Sequence, residues 1–196
     1  RLAELGHEVI VFDREGVAAE ASGVNGGLVG GSTHQGVDGQ LTLGSLDLFT
    51  ELQQERGYAI GLRRCGGLQV VHNETQWDFM QSAVTRQQEN GHQVELLSRR
   101  EARVLEPALA GDIAGCVYRP QQGQAEPELA TRAFASEAAR LGAAFAAGVE
   151  VVSLEGHANG FTLGTGQGDW RCDTLVLAAG AWLDPLAQKL GVKLPV

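Results

Sequence analysis

The residues best suited to chemistry lie in one stretch near the start of the chain, residues 7–31 (HEVIVFDREGVAAEASGVNGGLVGG). Asp13 follows the apolar run 9–12, at the point where a buried parallel strand would end. In a dinucleotide-binding βαβ unit, an acidic residue at this position accepts a hydrogen bond from the adenosine ribose 2′-hydroxyl. Glycines let a backbone approach a ligand closely, and bare N–H groups at a helix start suit a pyrophosphate. A cluster of such small residues follows: Ser22, Gly23, Asn25, Gly26 and Gly27.

The same stretch has a second interpretation, an ordinary strand and helix joined by a flexible glycine-rich loop. The G-x-G-x-x-G fingerprint, expected about 20 residues before the acidic residue, is missing. The residues before Asp13, RLAELGHEVIVF, predict the end of a helix with Gly6 as its C-cap and then the strand. The first residue is Arg1, not Met. We therefore expect the first strand and its phosphate turn upstream of Arg1, and we interpret the sequence as a fragment.

A second cluster of small residues lies near the other end of the chain. Residues 173–177 (DTLVL) predict a second strand buried on both faces. Ligands in open α/β sheets bind at the carboxyl ends of strands, so both clusters could face one crevice. Taken alone, the second cluster is equally typical of a tight packing turn between a strand and a helix. Its members are Ala178, Ala179, Gly180, Ala181 and Trp182.

Hydrophobic periodicity predicts mixed α and β structure between the clusters. Helices are expected at residues 40–56, 74–89 and 128–141, with Leu129, Ala133, Phe134 and Leu141 facing inward in the last. A capping box of Ser98 and Glu101 should open a short helix. Strands are expected at residues 64–71, 94–97, 113–119 and 143–145. An antiparallel meander should follow at residues 149–154, 160–163 and 170–172.

Composition excludes several classes of function. A formal net charge of −9 argues against nucleic-acid binding and provides no basic patch for anionic lipid. Three cysteines stand far apart in no metal or redox spacing, which favours unpaired thiols in a reducing compartment and no metal site. No apolar run reaches the roughly 18 residues of a membrane span. At 196 residues, the chain could hold one large domain or one and a half.

Taken together, five stretches resemble the flavin-dependent amino-acid and amine oxidoreductases of the D-amino acid oxidase superfamily, most closely the glycine oxidase and D-amino acid dehydrogenase branch. They are VIVFDRE, ASGVNGGLVGG, DIAGCVYRPQQGQAEPELATRAF, GVEVVSLE and DTLVLAAGAW. The resemblance implies an α/β fold with an FAD-binding Rossmann-like sheet of the glutathione-reductase type at residues 1–39 and 128–196. A mixed α+β substrate-binding domain at residues 40–127 would interrupt it, and the whole would be incomplete at both ends.

The resemblance also implies FAD as the cofactor and assigns its contacts. Asp13 would bind the ribose, Arg14 would adjoin the adenine end, and the backbone of Val151 would hydrogen-bond the adenine. The pyrophosphate would meet Glu20, Ala21 and Ser22. The flavin ring would meet Asn25, Gly26, Gly27 and Leu28. The second cluster would close over the cofactor through Ala178, Ala179, Gly180 and Trp182. The family's substrate-binding Arg and Tyr would lie beyond Val196, so we assign no catalytic residue.

The implied reaction moves a hydride from the α-carbon of a small amino acid or amine to the flavin and leaves an imine that hydrolyses. Oxygen or a quinone would accept the electrons. The protein would lie in the cytoplasm or be associated peripherally with the inner membrane, and it could form a homo-oligomer. Three other interpretations stay open: a quinone-linked dehydrogenase, a flavin enzyme of tRNA modification or thiazole synthesis, and a non-catalytic FAD-binding subunit. His34 is expected to be a solvated loop residue.

Overall fold

The computed structural model describes residues 1–30 and 37–194, apart from the side chain of Leu43. His34 therefore lies outside the described residues. The chain divides into two compact units: a discontinuous unit, Arg1–Asn25 with Thr131–Val196, and a continuous unit, Gly26–Ala130. Residues 26–39, which the sequence analysis grouped with the FAD-binding domain, fall in the continuous unit. The functional assignment of the two domains stays a prediction.

The described residues form both strands and helices, and the predicted α/β class is confirmed. The strands are β1 (Ile10–Asp13), β2 (Leu28–Val29), β3 (Gly67–Val71), β4 (Glu95–Ser98), β5 (Gly115–Arg119), β6 (Gly123–Gln124), β7 (Ala144–Ala147), β8 (Val151–His157), β9 (Gly160–Thr165) and β10 (Gly168–Cys172). The helices are α1 (Ala21–Val24), α2 (Val37–Gln54), α3 (Glu74–Glu89), α4 (Arg99–Leu105), α5 (Pro127–Arg140), the 3₁₀ helix η1 (Gly180–Trp182) and α6 (Leu183–Gln188).

In the discontinuous unit, β1 pairs in parallel with β7, so that Asp13 lies opposite Ala147 at the carboxyl end of both strands. Strands β8, β9 and β10 form an antiparallel meander. The rings of Phe12 and Trp170 meet edge to face with their centroids 5.4 Å apart, which links β1 to the meander. The predicted parallel strand followed by a meander is confirmed.

The apolar runs at residues 9–12 and 173–177 were predicted to form strands buried on both faces, and neither does. In β1, Ile10 and Val11 are 38% and 39% exposed. Among the described residues, β7 is the one strand that pairs with β1, so its other edge has no neighbour there. Residues 173–177 form no strand, and Val176 is 65% exposed. A strand requires a hydrogen-bonded partner, and no described strand pairs with this segment, so an apolar run was not sufficient.

Helix α5 has nearly its predicted bounds, and its predicted inward face is correct for Ala133 but wrong for Leu129 and Phe134. Its buried residues are Ala130, Ala133 and Glu137, at the spacing that places side chains on one helix face. Leu129 and Phe134, predicted to face inward, are 46% and 43% exposed. Their size suggested core positions, whereas the helix is buried along its smaller alanine side chains. Hydrophobicity alone could not distinguish the two faces of a helix so rich in alanine.

A three-stranded antiparallel sheet of order β3-β5-β4 forms the centre of the continuous unit. Val71, Val84, Val94 and Val117, each at most 5% exposed, make one core cluster with side chains from α3. Helix α3 has its predicted bounds, and the Asn73 side chain caps it by accepting the Gln76 N–H. The helix that packs against this core therefore has the bounds that its hydrophobic periodicity predicts.

Helix α4 begins with the predicted capping box. The Glu101 N–H donates to the Ser98 hydroxyl at 3.4 Å, and the Ser98 N–H donates to a Glu101 carboxylate oxygen at 2.8 Å. The Ser98 hydroxyl also donates to a Glu101 carboxylate oxygen at 2.6 Å. The hydrogen bonds that this carboxylate accepts from the Ser98 hydroxyl and from the Ser98 N–H lower the pKa of the Glu101 carboxyl, because both favour its charged form. The capping-box prediction is confirmed.

A smaller core holds the start of the continuous unit in place. Val29, Leu46 and Ala125 pack together, and β2 pairs with β6 so that Val29 lies opposite Gly123. The Ala125 N–H donates to the carbonyl of Gly27 at 2.9 Å. The glycine-rich segment that the sequence singled out is therefore anchored to the backbone that precedes α5.

Candidate functional site

Asp13 ends β1, and its carboxylate is oriented by the turn that follows. One carboxylate oxygen, Oδ1, accepts the backbone N–H of Glu15 at 2.9 Å and that of Gly16 at 2.8 Å. The other oxygen, Oδ2, has no hydrogen-bond partner among the described residues. Asp13 is therefore part of the local turn as well as a candidate ligand contact. The arrangement leaves one acceptor available at the carboxyl end of a parallel strand, the edge where α/β proteins bind ligands.

Arg14 extends over the indole of Trp182, with its guanidinium carbon 4.2 Å from the ring centroid. This distance is well inside the range of cation–π attraction. The carboxylates of Glu15 and Glu20 lie 3.7 Å from guanidinium nitrogens, beyond hydrogen-bonding distance. The end of β1 is thus in contact with the second small-residue cluster within the discontinuous unit, through a pair that sequence reasoning did not identify.

Helix α1 is one short turn, and side chains donate hydrogen bonds to two of its carbonyls. The Asn25 side-chain amide donates to the carbonyls of Ala21 and Ser22 at 3.0 and 3.1 Å. The Thr131 hydroxyl, from α5, donates to the Ser22 carbonyl at 3.0 Å. Glu20 precedes the helix without capping it through its side chain. Asn25, predicted to contact the flavin, thus has a structural role in closing α1, and its proposed cofactor contact stays a prediction.

The glycines of the first cluster differ in how closely other backbone atoms pack against them. A Cβ on Gly23 would lie 1.8 Å from the Ala18 carbonyl oxygen, and one on Gly27 would lie 2.2 Å from the Ala125 carbonyl oxygen. Gly27 also has a φ of +68°, which favours glycine. A Cβ on Gly26 would meet no atom of the described residues within 4 Å. Backbone packing therefore accounts for Gly23 and Gly27, whereas Gly26 faces open space.

The remaining predicted contacts lie on three elements. Val151 begins β8 opposite Thr165, beside a β-bulge. Ala178 and Ala179 precede η1, and the Trp182 N–H donates to the Ala179 carbonyl at 3.0 Å. Gly180 has a φ of +52°, and no described atom lies within 4 Å of a Cβ built on it. Leu28, in β2, is 73% exposed.

Unit membership separates the predicted contacts into two groups. Gly26, Gly27 and Leu28 belong to the continuous unit. The others belong to the discontinuous unit: Asp13, Arg14, Glu20, Ala21, Ser22, Asn25, Val151, Ala178, Ala179, Gly180 and Trp182. Sequence reasoning missed Thr131 and Ala125, which hold the glycine-rich segment through its carbonyls. No local signal marks them, because backbone carbonyls are bound irrespective of sequence.

In the part of the chain that the structure describes, no group of three or more His, Cys, Asp or Glu side chains could hold a metal ion. No helix within residues 1–30 and 37–194 has the length and apolar character to cross a membrane. Burial raises the pKa of the Cys116 thiol, and burial together with Asp173 raises that of Cys172, so both favour the less reactive thiol form.

Comparison with known proteins identifies the class as flavin-dependent oxidoreductase. The chain belongs to the DAO family of FAD-dependent oxidoreductases, whose family model matches residues 1–196. The predicted family and its FAD cofactor are thereby confirmed at the level of the family.

Individual relatives agree with this assignment. The chain is 30% identical to glycine oxidase of Geobacillus kaustophilus over 204 residues, which cover 100% of this chain and 54% of that protein. It is 31% identical to D-amino acid dehydrogenase of Bradyrhizobium diazoefficiens over 158 residues, 78% of this chain and 37% of that protein. The crystal structure of the Geobacillus kaustophilus glycine oxidase superposes with a TM-score of 0.87 at 31% identity, covering 98% of this chain and 54% of that one. The chain thus spans about half the length of the curated glycine oxidase it matches.

Proposed function

We propose that the full-length protein carrying this chain oxidises the C–N bond of a small amino acid or amine. The observation that carries the proposal is the family match along all 196 residues. When bound, FAD would supply the chemistry by accepting a hydride from the substrate's α-carbon, and the imine so formed would hydrolyse. This chain's contribution would be to bind and orient the cofactor.

The described residues are of the kind that an adenosine cofactor needs. Asp13 offers a carboxylate oxygen at the end of a parallel strand, where the ribose hydroxyl would be bound. Arg14 offers a cation beside it for the adenosine end, and Gly26 offers uncovered backbone for the flavin end. These features support the proposal that residues 1–39 and 128–196 bind FAD and residues 40–127 serve the substrate. The other contacts keep their proposed roles: Glu20, Ala21, Ser22, Asn25, Gly27, Leu28, Val151, Ala178, Ala179, Gly180 and Trp182.

Oxygen is the proposed electron acceptor, because the glycine oxidase of Geobacillus kaustophilus is a named oxidase similar along the whole of this chain. The similarity to a D-amino acid dehydrogenase favours a quinone-linked dehydrogenase as the second candidate. Oxygen consumption compared with the reduction of an artificial dye, each with glycine and with D-alanine, separates the two. A cytoplasmic location, with peripheral membrane association in the quinone-linked case, completes the proposal.

A pair of substitutions at Asp13 tests the cofactor site in the full-length protein. Asp13→Asn keeps an oxygen for the turn N–H groups but loses the carboxylate, whereas Asp13→Ala loses both. We expect Asp13→Asn to weaken FAD binding by about 1–3 kcal/mol, the effect of leaving a ribose hydroxyl poorly paired. Thermal unfolding of its apoprotein should be unchanged, whereas the Asp13→Ala apoprotein should also melt at a lower temperature. FAD titration of each apoprotein by flavin fluorescence measures the first effect.

Asp169→Asn, an exposed carboxylate on β10, is the matched control and should bind FAD as the wild type does. Equal FAD affinity in Asp13→Asn and in the control would contradict the assignment of Asp13. A wild-type protein that retains no flavin, and that oxidises neither amino acids nor amines when FAD is added, would contradict the function itself.

A further inference from the structure

The contact between Arg14 and Trp182 joins the end of β1 to the 3₁₀ helix η1. Trp182 is 42% exposed and the Arg14 side chain is 37% exposed, so both stand at the surface of the discontinuous unit. The guanidinium lies over the face of the indole, 4.2 Å from its centroid. At this distance the ring attracts the cation electrostatically without serving as a conventional hydrogen-bond acceptor. The guanidinium carries five N–H donors that can bind a ligand.

Two carboxylates compete with the indole for the same guanidinium. Glu15 lies 3.7 Å from Nε and Glu20 lies 3.7 Å from an Nη of Arg14, and their side chains are 56% and 52% exposed. Ion pairs between such exposed groups contribute little, and neither of these is close enough to be hydrogen-bonded. The indole is therefore the contact that sets where the guanidinium lies.

The charges around Arg14 explain why its placement matters. Asp13, Glu15 and Glu20 make this edge of the discontinuous unit acidic, and an anionic diphosphate that approaches it is repelled by all three. Arg14 can offset that repulsion only while its N–H donors point outward. A guanidinium drawn into hydrogen bonds with Glu15 or Glu20 would present those donors to carboxylates instead.

We propose that Trp182 is a positioning residue that holds the Arg14 guanidinium for the adenosine-side phosphate of FAD. This inference rests on the proposed function, because it takes FAD as the ligand. Trp182 acts through Arg14: its indole face keeps the cation at the carboxyl end of β1 and away from the neighbouring carboxylates. This role of Trp182 is independent of any contact that its own side chain makes with the cofactor.

A double-mutant cycle on the full-length apoprotein tests the proposal, with FAD titrated at low and at high ionic strength. Arg14→Gln should weaken FAD binding by at least about tenfold at low salt, as expected for a lost charge-assisted hydrogen bond. Trp182→Leu should weaken it by about two- to fivefold, the range of an exposed cation–π contact. Trp182→Phe, which keeps an aromatic face, should restore most of the affinity. The double variant should bind no more weakly than Arg14→Gln alone.

Salt dependence is the readout that a merely structural Trp182 would not change. Because Arg14→Gln removes a cation near the phosphates, FAD binding should become less sensitive to salt. Trp182→Leu removes no charge, yet it should reduce the salt sensitivity in the same direction. Should the leucine variant not fold, Trp182→Gln, which also lacks an aromatic face, carries the same test. In the FAD-free protein, Arg14→Gln should alter tryptophan emission, and this change should vanish in the Trp182→Phe background.

The outcomes separate this inference from the proposed function. Additive losses in the double variant, or wild-type salt sensitivity in Trp182→Leu, would overturn the positioning role while FAD binding by the wild type stands. A wild-type apoprotein that binds no FAD would overturn the proposed function, and the positioning role with it.

Discussion

We expect any side chain at position 27 to destabilise the protein, because of backbone packing and independently of cofactor binding. A Cβ there would lie 2.2 Å from the Ala125 carbonyl oxygen, which belongs to backbone fixed by the β2–β6 pair. The left-handed φ of +68° adds about 1–2 kcal/mol for an L-residue, and relieving the overlap adds about 1–3 kcal/mol, as in overpacked cores. We therefore expect Gly27→Ala to lower the free energy of unfolding by about 2–5 kcal/mol.

Gly26→Ala is the matched control, since no described atom lies within 4 Å of its Cβ and its φ is not in the left-handed region. It should change the free energy of unfolding by less than about 0.5 kcal/mol. Urea unfolding of the FAD-free full-length protein, followed by circular dichroism, measures both variants without any contribution from the cofactor. If the two variants unfold at the same urea concentration, the packing argument for Gly27 is wrong.

Two further predictions concern the continuous unit. Val117 is 0% exposed, and Val117→Ala should lower the free energy of unfolding by about 2–3 kcal/mol. Val104 is 78% exposed, and the control Val104→Ala should change that free energy by less than about 0.5 kcal/mol. Equal effects of the two substitutions would refute the assignment of Val117 to the core. The hydrogen bonds from Ser98 lower the pKa of Glu101 in the folded protein, so their stabilisation is present above the pKa of the unfolded chain and is lost as the pH falls through the folded pKa. Unfolding measured from pH 7 down to pH 3 should show the wild type losing its advantage over Glu101→Gln, and a difference independent of pH would contradict this.

Elements specified by neighbouring residues were predictable from the sequence. The capping box of Ser98 and Glu101 and the bounds of α3 were predicted correctly, because caps and helical periodicity act within a few residues. The parallel strand followed by a meander was also correct, since alternation and turn residues mark each hairpin. Family membership was recognisable because motifs from both ends of the chain occur in the family's order.

Features that depend on distant partners were not predictable. The apolar runs at residues 9–12 and 173–177 are typical of buried strands, but burial also requires neighbours on both edges and both faces. The glycine cluster had one expected role, close approach of a ligand. Carbonyls of Ala18 and Ala125 account for Gly23 and Gly27, and only the structure could show this. The stacking of Arg14 on Trp182 likewise joins residues that no local pattern relates.

The interrupted layout of the discontinuous unit has a consequence for synthesis on the ribosome. Strand β1 has its parallel partner in β7, and the carbonyl of Ser22 accepts a hydrogen bond from the hydroxyl of Thr131, 109 positions later. In the continuous unit, by contrast, every strand pair among the described residues joins segments translated between these two. Since contacts that close long loops form slowly, the inserted unit is expected to fold first during translation, while β1 waits for its partner. During that interval the backbone N–H and C=O groups of β1 that pair with β7 have no partner, so chaperone access and elongation rate should govern the yield of native protein.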